Sequence, residues 1–173
     1  MAQTFTAYFN GIAFAATKNM GAILNTSATE VLKVYRVGLV NAQTGAVTGV
    51  ITELNVRIIQ TSATLTSSTT ITPVSHDTNN TAPASATYGS AGTIGGTPAT
   101  VRRTIWSNDE PAVSTLTSDE MECFIPFNIV WDAGYGDSNV QPMTLRQNQM
   151  FYVFNVTSTA VGTLDTWMEF TKE

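Results

Sequence analysis

Alternating polar and apolar residues run through most of this chain, and they predict β-strands. In "VITELNVRII", one set of alternate positions is apolar apart from a single threonine: Val50, Thr52, Leu54, Val56 and Ile58. The positions between them carry Glu53, Asn55 and Arg57. Because successive side chains of a strand point to opposite faces, this segment is predicted to be a half-buried strand.

An edge strand is predicted for "CFIPFNIVW". Its alternate positions form a continuous apolar face: Cys123, Ile125, Phe127, Ile129 and Trp131. Pro126 falls on the other face and has no N–H to donate to a neighbouring strand, so the strand is placed at a sheet edge or at a bulge. Cys123 is the only cysteine, and its apolar surroundings indicate a small buried hydrophobic residue instead of a reactive thiol.

Further strands are predicted where β-branched and aromatic residues are dense. These segments are "TFTAYF", "TEVLKVYRVGLVN", "TSSTTITP", "ATVRRTIWS", "MFYVFNVTSTAV" and "TLDTWMEFT". No stretch of helical length keeps a 3.6-residue period with capping residues at its ends. The pattern therefore predicts an all-β fold, an antiparallel sandwich or barrel of about eight to ten strands.

The segment from 58 to 101 has an unusual composition. It contains one charged residue, Asp77, among Thr, Ser, Ala and Gly. Disordered segments usually carry more charge, so residues 75–97 are predicted to form one long, neutral, ordered loop packed on the domain or on a neighbouring subunit.

Charge excludes some functions and suggests others. Lys and Arg total 8 against 13 acidic residues, and the net charge is −5. Nucleic-acid binding is not predicted, because phosphates require clustered cations. No secretory signal or membrane segment is predicted either, so the chain is expected to fold in a cytosol. Seven of the 13 acidic residues lie between Asp109 and Asp137, which predicts a negative surface that binds a cation or a basic partner.

The letters S-H-D in "TPVSHDTNN" raise the question of an active site, since His76 is the only histidine. A nucleophilic triad needs three converging side chains, whereas adjacent residues of an extended chain point to alternate sides. There is also no G-x-S-x-G turn. The favoured interpretation is a turn closed by Asp77 and the residues after it. A hydrolase using His76, or the acidic pairs at 109–110 and 119–120, is the least favoured hypothesis.

Metal binding has little support in the sequence. One histidine and one cysteine argue against zinc and iron sites. "DAGYGDSN" offers oxygen ligands from Asp132, Asp137 and Asn139, but it does not match the calcium-loop pattern and is interpreted as a Gly-rich loop. No catalytic residue, metal or cofactor is therefore predicted.

One tryptophan departs from the alternating pattern. In "LDTWMEFT", one face consists of Leu164, Thr166, Met168 and Phe170. Trp167 falls on the other face, with Asp165 and Glu169. Because tryptophan is favoured as an anchor of interfaces, it is predicted either to contact another chain or to be covered by a second sheet.

Several segments together resemble small structural proteins of tailed bacteriophages, namely jelly-roll-like capsid decoration (cement) or auxiliary head proteins. These segments are "TEVLKVYRVGLVN", "ITPVSHDTNN", "VRRTIWSNDEPAVS", "NIVWDAGYGDSNVQPMTLRQNQMFYVFN" and "AVGTLDTWMEFT". The resemblance runs from about residue 29 to residue 171. It implies a single jelly-roll-like β-sandwich domain over 26–173. Residues 1–25 fall outside the resemblance and are expected to form an N-terminal arm or the first strands.

The resemblance also implies a function. Such proteins sit on the outer capsid surface, commonly as homotrimers, and clamp neighbouring major capsid subunits; binding of nucleic acid or membrane is not expected. The candidate interface residues are His76, Asp77, Tyr88, Asp109, Glu110, Tyr135, Asp137 and Trp167. A tail-fibre or carbohydrate-binding β-sandwich module is the alternative hypothesis.

Overall fold

The structure, a computed structural model, describes residues 3–42, 50–108, 127–134, 140–157 and 162–173, and every regular element in them is a β-strand. The strands are β1 (Gln3–Ala13), β2 (Lys18–Asn25), β3 (Leu32–Asn41), β4 (Val50–Ile59), β5 (Thr64–Thr66), β6 (Thr69–Thr70), β7 (Val74–Ser75), β8 (Ala86–Ser90), β9 (Thr93–Gly95), β10 (Pro98–Asn108), β11 (Phe127–Asp132), β12 (Met143–Leu145), β13 (Gln149–Asn155) and β14 (Thr163–Lys172). In this part of the chain there is no helix that could cross a membrane.

Most of the strands belong to two antiparallel sheets that enclose the core. The first sheet has the order β11–β3–β14–β1–β7, with β12 also paired to β3. The second sheet has the order β10–β4–β13–β2–β8–β6. Three successive pairs of long strands, β1 with β2, β3 with β4 and β13 with β14, place one strand in each sheet. The predicted all-β antiparallel sandwich is confirmed.

The core lies between the sheets and is built from the alternating apolar positions. The inward face of β14 is fully buried, as its pattern predicts: Leu164, Thr166, Met168 and Phe170. Phe170 occupies a central place, because its ring centroid lies 5.5 Å from those of both Phe5 and Tyr88. Phe5 belongs to the first sheet and Tyr88 to the second, so this aromatic stack joins the two layers.

A small covering sheet, formed by β5 and β9, lies over the outer face of the second sheet. Leu65 and Ile94 from these strands pack on a second apolar cluster: Ala22, Leu24, Ile59, Ala63, Met150 and Tyr152. Glycine permits this close approach, because a Cβ at Gly96 would lie only 2.8 Å from Cγ2 of Ile59. Strand β2 is consequently buried on both faces.

The sequence pattern did not identify β2, which pairs with β13 and β8 inside the second sheet. Its residues, "KNMGAILN", lack the alternation of a half-buried strand because both faces are covered. On one face of β2 the Phe9 ring lies directly against Gly21, where a Cβ would be only 2.7 Å from the ring. β1 and β2 are thus both strands of the sandwich.

Residues 75–97 also differ from the single loop that was predicted. The segment contains β8, which lies between β2 and β6 in the second sheet, and β9, which belongs to the covering sheet. Part of the segment is therefore paired in strands, and Ile94 from it packs over an apolar cluster.

The predicted edge position of β11 is confirmed, but the predicted set of inward-facing side chains is wrong. β11 lies at the edge of the first sheet, and its register against β3 shifts between Ile129 and Trp131. The shift places Val130 in the core and leaves Ile129 exposed. A bulge adds one residue and so changes which side chains face inward, which interrupts the predicted apolar face. Cys123 and Pro126 lie outside the described residues.

Candidate functional site

The outer face of the first sheet, the side turned away from the core, is the most distinctive surface of the described residues. Five large hydrophobic side chains are exposed in this part of the chain, and three of them lie on that face: Tyr8, Val74 and Ile129. Their orientation follows from the register, because directly paired residues of antiparallel strands point to the same side. Val74 pairs with Thr6, whose neighbours Phe5 and Ala7 point into the core.

A row of four residues crosses this face and is called the aromatic row after its two rings: Tyr8, Trp167, Gly38 and Ile129. Trp167 on β14 is opposite both Tyr8 on β1 and Gly38 on β3, and Ile129 on β11 is opposite Gly38. With about 4.8 Å between neighbouring strands, the row spans roughly 14 Å.

Gly38 determines how the tryptophan lies. A Cβ at Gly38 would meet three indole atoms of Trp167, Cε2, Cζ2 and Nε1, at 2.3 to 2.4 Å. The indole therefore lies across the Cα of Gly38, in the space that a side chain would otherwise fill. One face of the ring rests on the sheet, and the half-buried ring contributes to a flat outer surface.

A row of charged side chains runs beside the aromatic row. Nε of Arg36 lies 3.1 Å from Oδ2 of Asp132, and Nη1 of Arg36 lies 3.7 Å from Oε2 of Glu169. One guanidinium thus joins two carboxylates on three adjacent strands. Because all three groups are partly exposed, the ion pairs add little stability and mainly fix the positions of the charges.

Asp165 lies on the other side of the aromatic row. Its Oδ2 accepts a hydrogen bond of 2.6 Å from the Tyr8 hydroxyl, and its Oδ1 accepts one of 2.6 Å from the Gly11 amide. Gly11, at φ 61°, lies where the register of β1 against β14 shifts, and glycine adopts this conformation without strain. Within the described ranges Asp165 has no ion-pair partner, so its charge is not neutralised there.

The hydrogen bond to Asp165, with burial and the carboxylate's charge, raises the pKa of Tyr8 to about 12. We expect Asp165→Asn to lower the pKa of Tyr8 toward its ordinary value of 10.0. Titration of the tyrosine ultraviolet absorbance, with Tyr8→Phe to identify the transition, measures the change. An unaltered Tyr8 titration in Asp165→Asn would contradict the assigned hydrogen bond.

The same shift has a consequence for stability. A folded-state pKa above the unfolded value gives stability that is present below about pH 10 and is lost as the pH rises toward 12. Burial also raises the pKa of Tyr88 and of Tyr152. The protein should therefore lose stability progressively above about pH 10.

The S-H-D segment forms a turn at the edge of the same face. Ser75 donates its hydroxyl to the carbonyl of Asp77 at 2.6 Å, and the Asp77 carboxylate accepts the Asn79 amide at 3.0 Å. The exposed His76 has its Nε2 2.7 Å from Oγ1 of Thr6. The three side chains are not bonded to one another, and the predicted turn is confirmed.

The remaining candidate interface residues have different outcomes. Tyr88 is only 4 % exposed and stacks on Phe170 in the core, so its assignment to an interface is corrected. The alternating pattern around Tyr88 is short, and the sequence did not indicate which face it occupies. Asp109, Glu110, Tyr135 and Asp137 lie outside the described residues.

The candidate oxygen ligand Asp132 is engaged within the protein. Its Oδ2 pairs with Arg36, and its Oδ1 accepts the Gly134 amide at 2.7 Å. Asp137 and Asn139 lie outside the described residues. In the part of the chain that the structure describes, no group of three or more His, Cys, Asp or Glu side chains is arranged to hold a metal ion.

Sequence reasoning identified Trp167 but missed Tyr8. The signal was the same in both strands, since in "TFTAYF" Tyr8 alternates with the buried Phe5, Ala7 and Phe9 just as Trp167 alternates with buried residues. β1 and β14 each carry one aromatic residue on the polar face. Because the two strands pair, these residues lie on one shared surface. The exposure of Ile129 required knowledge of the bulge.

The outer face of the first sheet is thus flat. Aromatic side chains lie at its centre, and charged side chains held in place by their partners lie on either side. Such a surface is suited to shallow contact with another macromolecule more than to enclosing a small substrate. The chain matches no known family and no curated protein in the comparisons made.

Proposed function

We propose that this chain is a non-enzymatic virion structural protein of a tailed bacteriophage. It binds the outer capsid surface and stabilises the head by bridging neighbouring major capsid subunits. The proposal draws on the resemblance of several segments to jelly-roll-like decoration proteins and on the β-sandwich fold. The observation that carries it is the aromatic row on the outer face of the first sheet.

The physical basis of the proposed activity is repeated shallow contact. A flat face of Tyr8, Trp167 and Ile129 can bury apolar area without a deep pocket. In the proposed homotrimer, three such faces bind together, and each contact after the first forms at a high effective concentration. Weak single contacts then give stable attachment to a symmetric shell.

Cosedimentation with undecorated capsids tests this function. The full chain should pellet with the shells in a saturable manner, and size-exclusion chromatography with light scattering should give the mass of a trimer. A chain that remains in the supernatant at all shell concentrations would contradict the proposal.

A carbohydrate-binding module is the second candidate, because aromatic rings beside hydrogen-bonding carboxylates also suit sugars. Trp167 and Tyr8 lie side by side, with Asp165 and Glu169 on the same face. Retention on a glycan array by a chain that fails to bind shells would favour this candidate over the capsid protein.

A further inference from the structure

We propose that the partner of the outer face presents an arginine or lysine side chain, which lies across Trp167 and pairs with Asp165. The inference rests on the proposed function and specifies the chemistry that the bound capsid subunit must offer at this place.

The charges of the face favour a cationic partner. Asp132 and Glu169 share the single guanidinium of Arg36, while Asp165 has no cationic partner among the described residues. The face around the aromatic row therefore carries more negative than positive charge, on a chain whose net charge is −5. A partner with a positive side chain complements this arrangement, whereas a partner without one covers the hydrogen-bonded carboxylate of Asp165 and supplies no counter-charge.

The aromatic row supplies the second element of recognition. A guanidinium or ammonium group is attracted to the face of an aromatic ring, and tryptophan is the strongest of the three rings. Trp167 and Asp165 are two residues apart on one face of β14, about 7 Å along the strand, so one long cationic side chain can reach both. The protein already contains such a contact, since the guanidinium carbon of Arg57 lies 4.4 Å from the centroid of the Phe154 ring.

Two other possible partners complement the charge of this face less well. A second copy placed on it by a twofold axis would bring together two faces that each carry an excess of carboxylates, and like charges at an interface are unfavourable. A neutral sugar can stack on Trp167 but offers no positive charge to Asp165. The charge of Asp165 therefore favours a cationic protein side chain over both.

Two capped tripeptides test the proposal on the intact protein: Gly-Arg-Gly and its neutral analogue with citrulline in place of arginine. Each is titrated into the isotopically labelled chain while the Trp167 indole N–H signal, assigned with Trp167→Phe, is followed by NMR. The arginine peptide should shift this signal saturably, and the citrulline peptide should shift it less at equal concentration. Added salt should weaken the arginine-dependent shift.

Asp165→Asn should weaken binding of the arginine peptide about two- to fivefold, a difference within the range of exposed charge and cation–π contacts. Ile105→Ala, on the opposite sheet, should leave it unchanged, and dispersed spectra of both variants control for folding. Equal shifts by the two peptides, or no shift at Trp167, would overturn the inference.

This outcome is independent of the capsid experiment. If the arginine peptide binds while the chain fails to pellet with shells, the proposed function fails and the cationic site stands. If shells bind while the two peptides behave alike, the proposed function stands and the cationic site fails.

Discussion

Replacing Phe170 by alanine is expected to lower the free energy of unfolding by about 3–5 kcal/mol. The side chain is fully buried and stacks between Phe5 and Tyr88, at the point where the two sheets meet. Its removal takes away apolar contact with both sheets and leaves a cavity that the rigid strands cannot close. Urea denaturation followed by circular dichroism measures the loss.

Two further substitutions serve as controls for this prediction. Phe170→Leu keeps most of the apolar volume and should cost clearly less than Phe170→Ala. Ile105→Ala, at a residue 56 % exposed on the second sheet, should change stability by about 0.5 kcal/mol or less. A similar loss from Ile105→Ala and Phe170→Ala would show that the core is not where the structure places it.

Asn25→Ala is expected to cost about 2–4 kcal/mol, because it leaves several buried backbone groups without partners. The fully buried Asn25 side chain donates to the carbonyls of Glu30 and Leu145, each at 2.9 Å. Its Oδ1 accepts the Ser27 amide, also at 2.9 Å. One side chain therefore ties the end of β2 to the following loop and to β12.

Thermal or urea unfolding of Asn25→Ala measures this effect, with the exposed Asn10→Ala as the matched control. The control should unfold close to the wild-type midpoint. An Asn25→Ala protein as stable as Asn10→Ala would mean that water replaces the side chain at no cost, contrary to the expected penalty.

Strands with one covered face were predictable from the sequence. β4 and β14 show the expected alternation, and their inward residues Leu54, Val56, Met168 and Phe170 are buried as predicted. The described residues contain nine strands of five or more residues, within the predicted eight to ten, and five shorter strands. Of the shorter strands, only β6 lies in a segment that was predicted as a strand, "TSSTTITP". A strand of two or three residues is too short to show a period.

The missed features depended on contacts between distant segments. β2 has no alternating pattern because the covering sheet, formed by residues 64–66 and 93–95, hides its outer face. Similarly, Tyr88 belongs to the core because Phe170 from the end of the chain stacks on it. Local sequence does not specify such partners, so tertiary packing decided these elements.

The candidate site was predictable only in part for the same reason. Trp167 was identified because it interrupts a local pattern, but the aromatic row needs the pairing of four strands. Gly38 had no distinguishing mark in the sequence, although the indole can lie flat only because position 38 lacks a side chain. The association of Asp165 with Tyr8 joins residues 157 positions apart.

The outer face of the first sheet is proposed to hold the protein to its partner. Quantitative cosedimentation of Trp167→Ala and Ile105→Ala with undecorated capsids tests it most directly, after circular dichroism has shown that both variants fold. Trp167→Ala should bind the shells about tenfold or more weakly than the wild type, as expected for a tryptophan at the centre of an interface, and Ile105→Ala should bind like the wild type. Wild-type affinity of Trp167→Ala, or an equal loss in both variants, would contradict the claim.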